Sequence, residues 1–453
     1  MAIKRRKTLR AFLVITAVLW VGTLAITPGT AQSPANKTVF KFDFGPGKVA
    51  QGYTQVLPTT LYSDDLGYGF EPGAMVSGVD RGGDDSLHSD FITSDLPFFF
   101  SVKLPEGNYN VTVTFGDLGG ESVATVKSES RRLMLERVQT AFGKFETRTF
   151  TVNVRNSLVP PPPLNAPGGT QVRLNNREQG ALHWDDKLTL EFNNTRPCVG
   201  AVEITKVDDA VTIFLAGDST VTDQPGEPGN SWGQMLPRFF LPGVAVANHA
   251  ESGETLKSFI TGLRLDKVLS QMKQGDYLFM QFGHNDQKQQ WPQTYVNAFT
   301  TYKAYLKSYI AEARLRGAMP VLVTSMNRRT FDQNGKITNS LGDYPEAVRQ
   351  TAKEENVAVI DLNAMSKTLY EALGVDKAPL AFAGNGRDAT HHNNYGSYEL
   401  ARCVVEGIKA NKLGIAKFLV DDVSPFDPSH PDPIENFKVP ASPPRANRRP
   451  SSN

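Results

Sequence analysis

The chain has 453 residues, 40% hydrophobic and 9% aromatic, with 48 Lys and Arg against 47 Asp and Glu. That length predicts two or three domains with room for sizeable cores. With Gly and Pro at 38 and 29 residues, the composition excludes a collagen-like, wholly disordered or coiled-coil chain.

The near-neutral balance is unevenly spread. Lys4, Arg5, Arg6, Lys7 and Arg10 stand at the N-terminus without an acid, residues 11–26 are apolar or small, and Gly29 and Ala31 offer a peptidase its small residues. This order predicts a secretory signal peptide over residues 1–31; an uncleaved anchor is the alternative. The run is short for a span and has no later counterpart, so no stable membrane span is expected after cleavage. Removing those residues leaves 43 basic against 47 acidic side chains, a net charge of −4. A mildly acidic, secreted or periplasmic protein is a poor partner for nucleic acid. Cys198 and Cys403, the two cysteines, can pair in an oxidising compartment and link the first domain to the last helix. Zinc spacings such as CxxC and HExxH are absent, so no structural zinc site is expected.

Residues 38–207 read as an antiparallel β-sandwich. Phe40, Phe42 and Phe44 alternate with polar neighbours, as do Tyr109, Val111, Val113 and Phe115, and turn-rich links separate the runs. From 208 to 420 the pattern changes. Continuous apolar strands at 211–216, 244–247, 277–282, 319–324 and 357–360 alternate with helical stretches at 254–272, 295–316, 343–355 and 394–412. That alternation predicts an α/β/α layer structure with a mostly parallel sheet. Residues 421–453 hold eight prolines and little apolar pattern, predicting a disordered tail.

Polar blocks follow the strands, where open α/β sheets place their sites. Gly217-Asp218-Ser219-Thr220 offers Ser219 as a nucleophile or as a turn serine. Asn248-His249-Ala250-Glu251-Ser252-Gly253 ends on a glycine able to bring its backbone N–H close to a ligand. In Gly283-His284-Asn285-Asp286, the Asn285 amide can complete an oxyanion hole with the N–H groups of Ser219 and Gly253. Asp218, His284 and Asp286 are supporting candidates. In Asp388-Ala389-Thr390-His391, the spacing lets the aspartate orient an imidazole that serves the serine as base. His392 is the competing choice, and Asp388, His391 and His392 also admit a metal reading.

These four ordered blocks, GDST, NHAESG, GHND and DATHHNNYG, resemble those of the SGNH/GDSL hydrolases over residues 210–415, closest to the rhamnogalacturonan acetylesterase branch. Trp232-Gly233 is similar to an early helix signature of that family. The resemblance implies a flavodoxin-like catalytic domain, a Ser219–His391–Asp388 triad and an oxyanion hole of Ser219, Gly253 and Asn285, without a cofactor. Glu254-Thr255 stands where the branch often carries Arg-Ser. The first domain resembles galactose-binding-like modules. Its Tyr62, Tyr68, Phe70 and Trp184 can stack on sugars or pack a core or interface. The function implied is deacetylation of plant cell-wall polysaccharide. The alternatives are an SGNH esterase acting on xylan, another glycan or short-chain lipid esters, and a non-catalytic carbohydrate-binding surface protein.

Overall fold

The computed structural model describes residues 39–444. The expected signal peptide and the basic block at 445–449 lie outside them. No helix among the described residues is long and apolar enough to cross a membrane.

The first domain has twelve strands: β1 (Val39–Phe44), β2 (Thr54–Val56), β3 (Tyr68–Phe70), β4 (Ser77–Asp80), β5 (Asp90–Thr93), β6 (Phe98–Lys103), β7 (Gly107–Gly116), β8 (Ser122–Ser128), β9 (Arg132–Thr140), β10 (Phe145–Val154), β11 (Lys187–Asn193) and β12 (Cys198–Lys206). One sheet runs β10-β7-β12-β1-β2 with β4 and β5 attached, and the facing sheet runs β3-β6-β11-β8-β9. Alternation puts one side of each strand in a shared core. There Phe44 meets Phe100 edge to face at 4.8 Å and Phe42 meets Phe100 at 5.2 Å. The sandwich is antiparallel except that β2 joins β1 in parallel.

The second domain is built on β13 (Val211–Gly217), β14 (Val244–Asn248), β15 (Tyr277–Gln281), β16 (Met319–Val323) and β17 (Ala358–Ile360). All four pairings are parallel, in the order β14-β13-β15-β16-β17. This is the flavodoxin-like order, in which the chain reverses direction beside the first strand and opens a crevice at the strand ends. The helices are α1 (Trp232–Met235), α2 (Leu256–Thr261), α3 (Arg264–Gln271), α4 (Lys303–Leu315), α5 (Tyr344–Glu355), α6 (Leu362–Lys377) and α7 (Asn394–Ala410). The helix predicted over 254–272 is broken in two. Leu263 takes a left-handed φ of 59°, and the Gly262 carbonyl accepts the backbone N–H of Arg173 from the first domain at 2.9 Å.

Two other expectations are corrected. Cys198 and Cys403 are both buried free thiols. Cys198 belongs to β12, and Cys403 lies on α7 within the core of the second domain. The disorder expected over 421–453 does not hold for residues 421–444, which form a strap across both domains. Phe426 and Val439 enter the hydrophobic core of the second domain. Lys127 of β8 donates to the Pro440 carbonyl at 2.7 Å and to Ser442 Oγ at 2.8 Å. A proline-rich segment can be fixed by such contacts without any periodic pattern.

The domains meet through buried charge. Arg132 of β9 donates from Nε to Asp223 Oδ2 at 2.8 Å, with both side chains 1% exposed. Arg264 pairs with Glu178 at 2.5 Å, equally buried. Removing one member of such a pair strands the other charge away from water. Asp223→Ala should therefore cost about 3–5 kcal/mol of folding stability, read from the urea midpoint; an unchanged midpoint would show that the pair bears no load.

Candidate active site

Each predicted block sits at the carboxyl end of a strand or in the loop before α7. Ser219 follows β13, Gly253 lies beyond β14, Asn285 follows β15, and Asp388 and His391 share one loop. Ser219 Oγ lies 2.9 Å from His391 Nε2, and His391 Nδ1 lies 2.8 Å from Asp388 Oδ2. The other Asp388 oxygen accepts the backbone N–H groups of Thr390 at 2.7 Å and His391 at 2.9 Å. Burial pushes this carboxyl up, but those N–H bonds and the imidazole outweigh it and hold the group below the usual carboxylate range. A carboxylate in this position fixes the Nδ1–H tautomer and leaves Nε2 free to accept the serine proton.

His392 points elsewhere. Its Nε2 lies 2.7 Å from the Tyr370 hydroxyl, and its ring packs on Phe382 with centroids 4.3 Å apart. Burial, with the His391 charge, pushes its pKa down to about 3. The metal reading of Asp388, His391 and His392 loses this ring.

Gly253 has a φ of 88°, a conformation costly for any residue with a Cβ. Among the described residues, the backbone N–H groups of Ser219 and Gly253 have no protein acceptor. Asn285 gives one amide hydrogen to the Glu254 carbonyl at 3.1 Å. Its oxygen accepts from Lys288 Nζ at 2.8 Å. An ammonium only donates, so this contact fixes which end of the amide is nitrogen and leaves one N–H for a ligand.

The supporting residues form a buried frame. Asp218 accepts from Thr220 Oγ1 at 2.8 Å and lies 3.3 Å from His284 Nδ1. Nε2 of that ring lies 3.1 Å from the Met326 carbonyl. Burial raises the Asp218 carboxyl, but the His284 charge and the bonds from His284 and Thr220 overcome this and leave it lowered. Asp286 caps α2 by accepting Leu256 N–H at 2.9 Å and also takes Gly283 N–H at 2.9 Å. Glu254 and Thr255 are structural: Glu254 pairs with Arg264 at 3.2 Å, and Thr255 forms the N-terminal capping box of α2. Gly233 lets α1 approach closely, since a Cβ there would strike the Val221 carbonyl.

Several contributors escaped the sequence reading. Gln281 links Trp232 Nε1 at 2.9 Å to Thr220 Oγ1 at 2.6 Å; a polar residue ending an apolar strand was its only signal. Gln224 donates to the Ser219 carbonyl at 2.6 Å. Arg131, from the turn between β8 and β9, donates to the Gln224 carbonyl at 3.2 Å and the Gly229 carbonyl at 2.8 Å, and pairs with Glu227 at 2.6 Å. Glu227 also accepts the Ser442 N–H of the strap at 2.9 Å. The loop after the nucleophile is thus held by the first domain and the strap together. Trp184 lies at this domain boundary under Arg155, 4.5 Å from its ring centre, and Phe70 is in the sandwich core. Tyr68 packs on Phe42 at 4.9 Å, and Tyr62 lies under Lys187 at 4.6 Å.

A serine, an imidazole and a buttressed carboxylate in one hydrogen-bonded line, at the crevice of a parallel sheet, define a serine-type hydrolase site. Residues 215–397 match the GDSL-like lipase/acylhydrolase family. Residues 40–156 match the β-agarase/YXIM esterase-like, galactose-binding domain-like family. The chain belongs to the GDSL-like lipase/acylhydrolase family and is a carboxylic ester hydrolase. Among its relatives, rhamnogalacturonan acetylesterase RhgT of Bacillus subtilis (strain 168) is 41% identical over 46% of this chain and 94% of its own length. The probable rhamnogalacturonan acetylesterase YesY of the same organism is 38% identical over 46% of this chain and 98% of its own. The uncharacterized esterase YxiM, also from B. subtilis, is 28% identical over 85% of this chain and 94% of its own.

Asp286 gives the site a pH signature. Burial lifts its carboxyl to about 7, against the Leu256 and Gly283 N–H bonds and with help from the Asp218 charge. An unfolded Asp titrates near ~3.9, so between these values the folded chain holds a proton that the unfolded chain has lost. The stability this contributes is complete below about pH 4 and is lost as pH rises through about 7. Measured against Asp286→Asn, the wild-type melting temperature should fall steadily over that window and then level. A pH-independent difference would contradict this.

Proposed function

We propose that this enzyme is an exported carbohydrate esterase that removes O-acetyl groups from pectic polysaccharide, with the rhamnogalacturonan backbone as its substrate. The observation carrying the chemistry is the Ser219–His391–Asp388 line at 2.9 and 2.8 Å. The substrate rests on the two relatives near 40% identity that carry the rhamnogalacturonan acetylesterase name. Export rests on the basic, apolar and small-residue order of residues 1–31.

Ser219 Oγ attacks the acetyl carbonyl while His391 Nε2 takes its proton. Asp388 holds Nδ1–H and stabilises the imidazolium that forms. The oxyanion is met by the N–H groups of Ser219 and Gly253 and by the free N–H of Asn285. Collapse of the tetrahedral intermediate breaks the bond to the sugar oxygen, which takes the proton from His391 and departs as the alcohol. Water then attacks acetyl-Ser219, giving its proton to His391. The second collapse releases acetate and returns that proton to Ser219.

Acetate release from acetylated rhamnogalacturonan, acetylated xylan and triacylglycerols tests the assignment. The pectic polymer should give the highest kcat/KM, and turnover of the lipids alone would refute the carbohydrate reading. Ser219→Ala should lower kcat by a factor on the order of 10⁴ or more without changing the unfolding midpoint. Retained activity would remove Ser219 from its role. Asn285→Ala should lower kcat about 10²–10³-fold with KM less affected. A change confined to KM would instead make the amide a binding group.

A further inference from the structure

Two cations beside the triad lack the carboxylate partners that several buried cations of the fold have. Arg132, Arg264, Lys267 and Arg402 all face carboxylates. Among the described residues, Lys288 and Arg328 have no carboxylate within ion-pair distance. Both are anchored next to the reacting centre on consecutive residues. Lys288 Nζ donates to Asn285 Oδ1 at 2.8 Å, and Arg328 Nη2 donates to the His284 carbonyl at 3.3 Å. Burial, followed by the Arg328 charge, lowers the Lys288 ammonium, and the Asp218 charge offsets this only in part. An ammonium has three donors, and the Asn285 contact uses one. Lys288 also lies 4.0 Å over the ring of Trp291, which is 45% exposed. Lys288 covers one face of the indole, and its remaining donors with those of Arg328 offer a carboxylate a place to bind.

We propose that Lys288 and Arg328 form a subsite for a uronic acid of the bound polymer, whose carboxylate takes the two cations at the rim beside Asn285, with the Trp291 indole packed behind Lys288. This rests on the reading of the enzyme as a deacetylase of an acidic pectic polymer and adds how that polymer is distinguished from a neutral one. The net charge of the exported chain is acidic, so the attraction comes from local placement at the rim and is sensitive to screening.

The test uses the full chain hydrolysing a small neutral acetyl ester, with unacetylated galacturonate oligomers added as inhibitors and neutral xylo-oligomers as the control. The galacturonate oligomers should compete with the ester, and the neutral oligomers should not. Arg328→Met and Lys288→Met should each weaken that inhibition about tenfold, relative to each variant's own uninhibited rate, as loss of a charged hydrogen bond does. Raising the salt concentration should weaken it in the wild type, a measurement that does not depend on any variant folding. Inhibition that is absent, insensitive to salt, or equal in wild type and both variants overturns the subsite. Failure to release acetate from acetylated rhamnogalacturonan, with oligomer inhibition intact, would instead overturn the substrate assignment and leave the uronate subsite standing.

Discussion

The buried pair of Arg132 and Asp223 organises the catalytic half of this molecule from outside it. Arg132 belongs to the sandwich, whereas Asp223 lies four residues after Ser219. A guanidinium and a carboxylate removed from water are tolerated when each satisfies the other and the remaining atoms are bonded. Asp223 meets this condition by also accepting Asn248 Nδ2 at 2.8 Å, and the same amide nitrogen donates to the Val221 carbonyl at 2.6 Å. The loop carrying the serine and the loop leading to Gly253 are therefore fixed to one another and to the first domain. Arg155 adds a bond from the sandwich to the Asn248 carbonyl.

This makes the sandwich part of the hydrolase's construction. RhgT aligns over 94% of its own length with only 46% of this chain, so the hydrolase fold exists without the partner domain. Here the partner has replaced what would be a solvated surface beside the nucleophile loop. Arg131 satisfies the Gln224 and Gly229 carbonyls, and Gln224 reaches back to the Ser219 carbonyl. The strap closes the same arrangement through Ser442 and Glu227. Water would otherwise bond to these groups in many geometries; buried side chains impose one.

What the sequence made legible is what is local. Each of the four polar blocks is a short loop following a strand or preceding a helix, and where those loops fall brings Ser219, His391 and Asp388 into one hydrogen-bonded line. The parallel sheet followed from continuous apolar runs between helices, and its flavodoxin-like order from the resemblance to the SGNH/GDSL hydrolases. The rest depends on surfaces meeting across the chain. Strand β8 and the start of β9 left little alternating signature because both of their sides are buried. Arg131, Arg132 and Arg155 are buried only because the second domain covers them, which nothing in their local sequence marks. The strap read as disordered because Phe426 and Val439 are isolated anchors separated by prolines. The cysteine pairing failed for the same reason, since an even count carries no information about which core each thiol enters.

Rigidity and exposure are divided within the site. Asp218, His284 and Asp286 are fully enclosed, whereas the side chains of Asp388 and His391 remain 33% and 36% exposed. The aspartate and histidine come from one loop, and Asp388 is held by backbone N–H groups of that same loop. The triad is therefore complete without a lid closing over it. Orientation then has to come from fixed groups along the rim. The frame beneath Ser219 holds the nucleophile loop, and Lys288 fixes the Asn285 amide beside it.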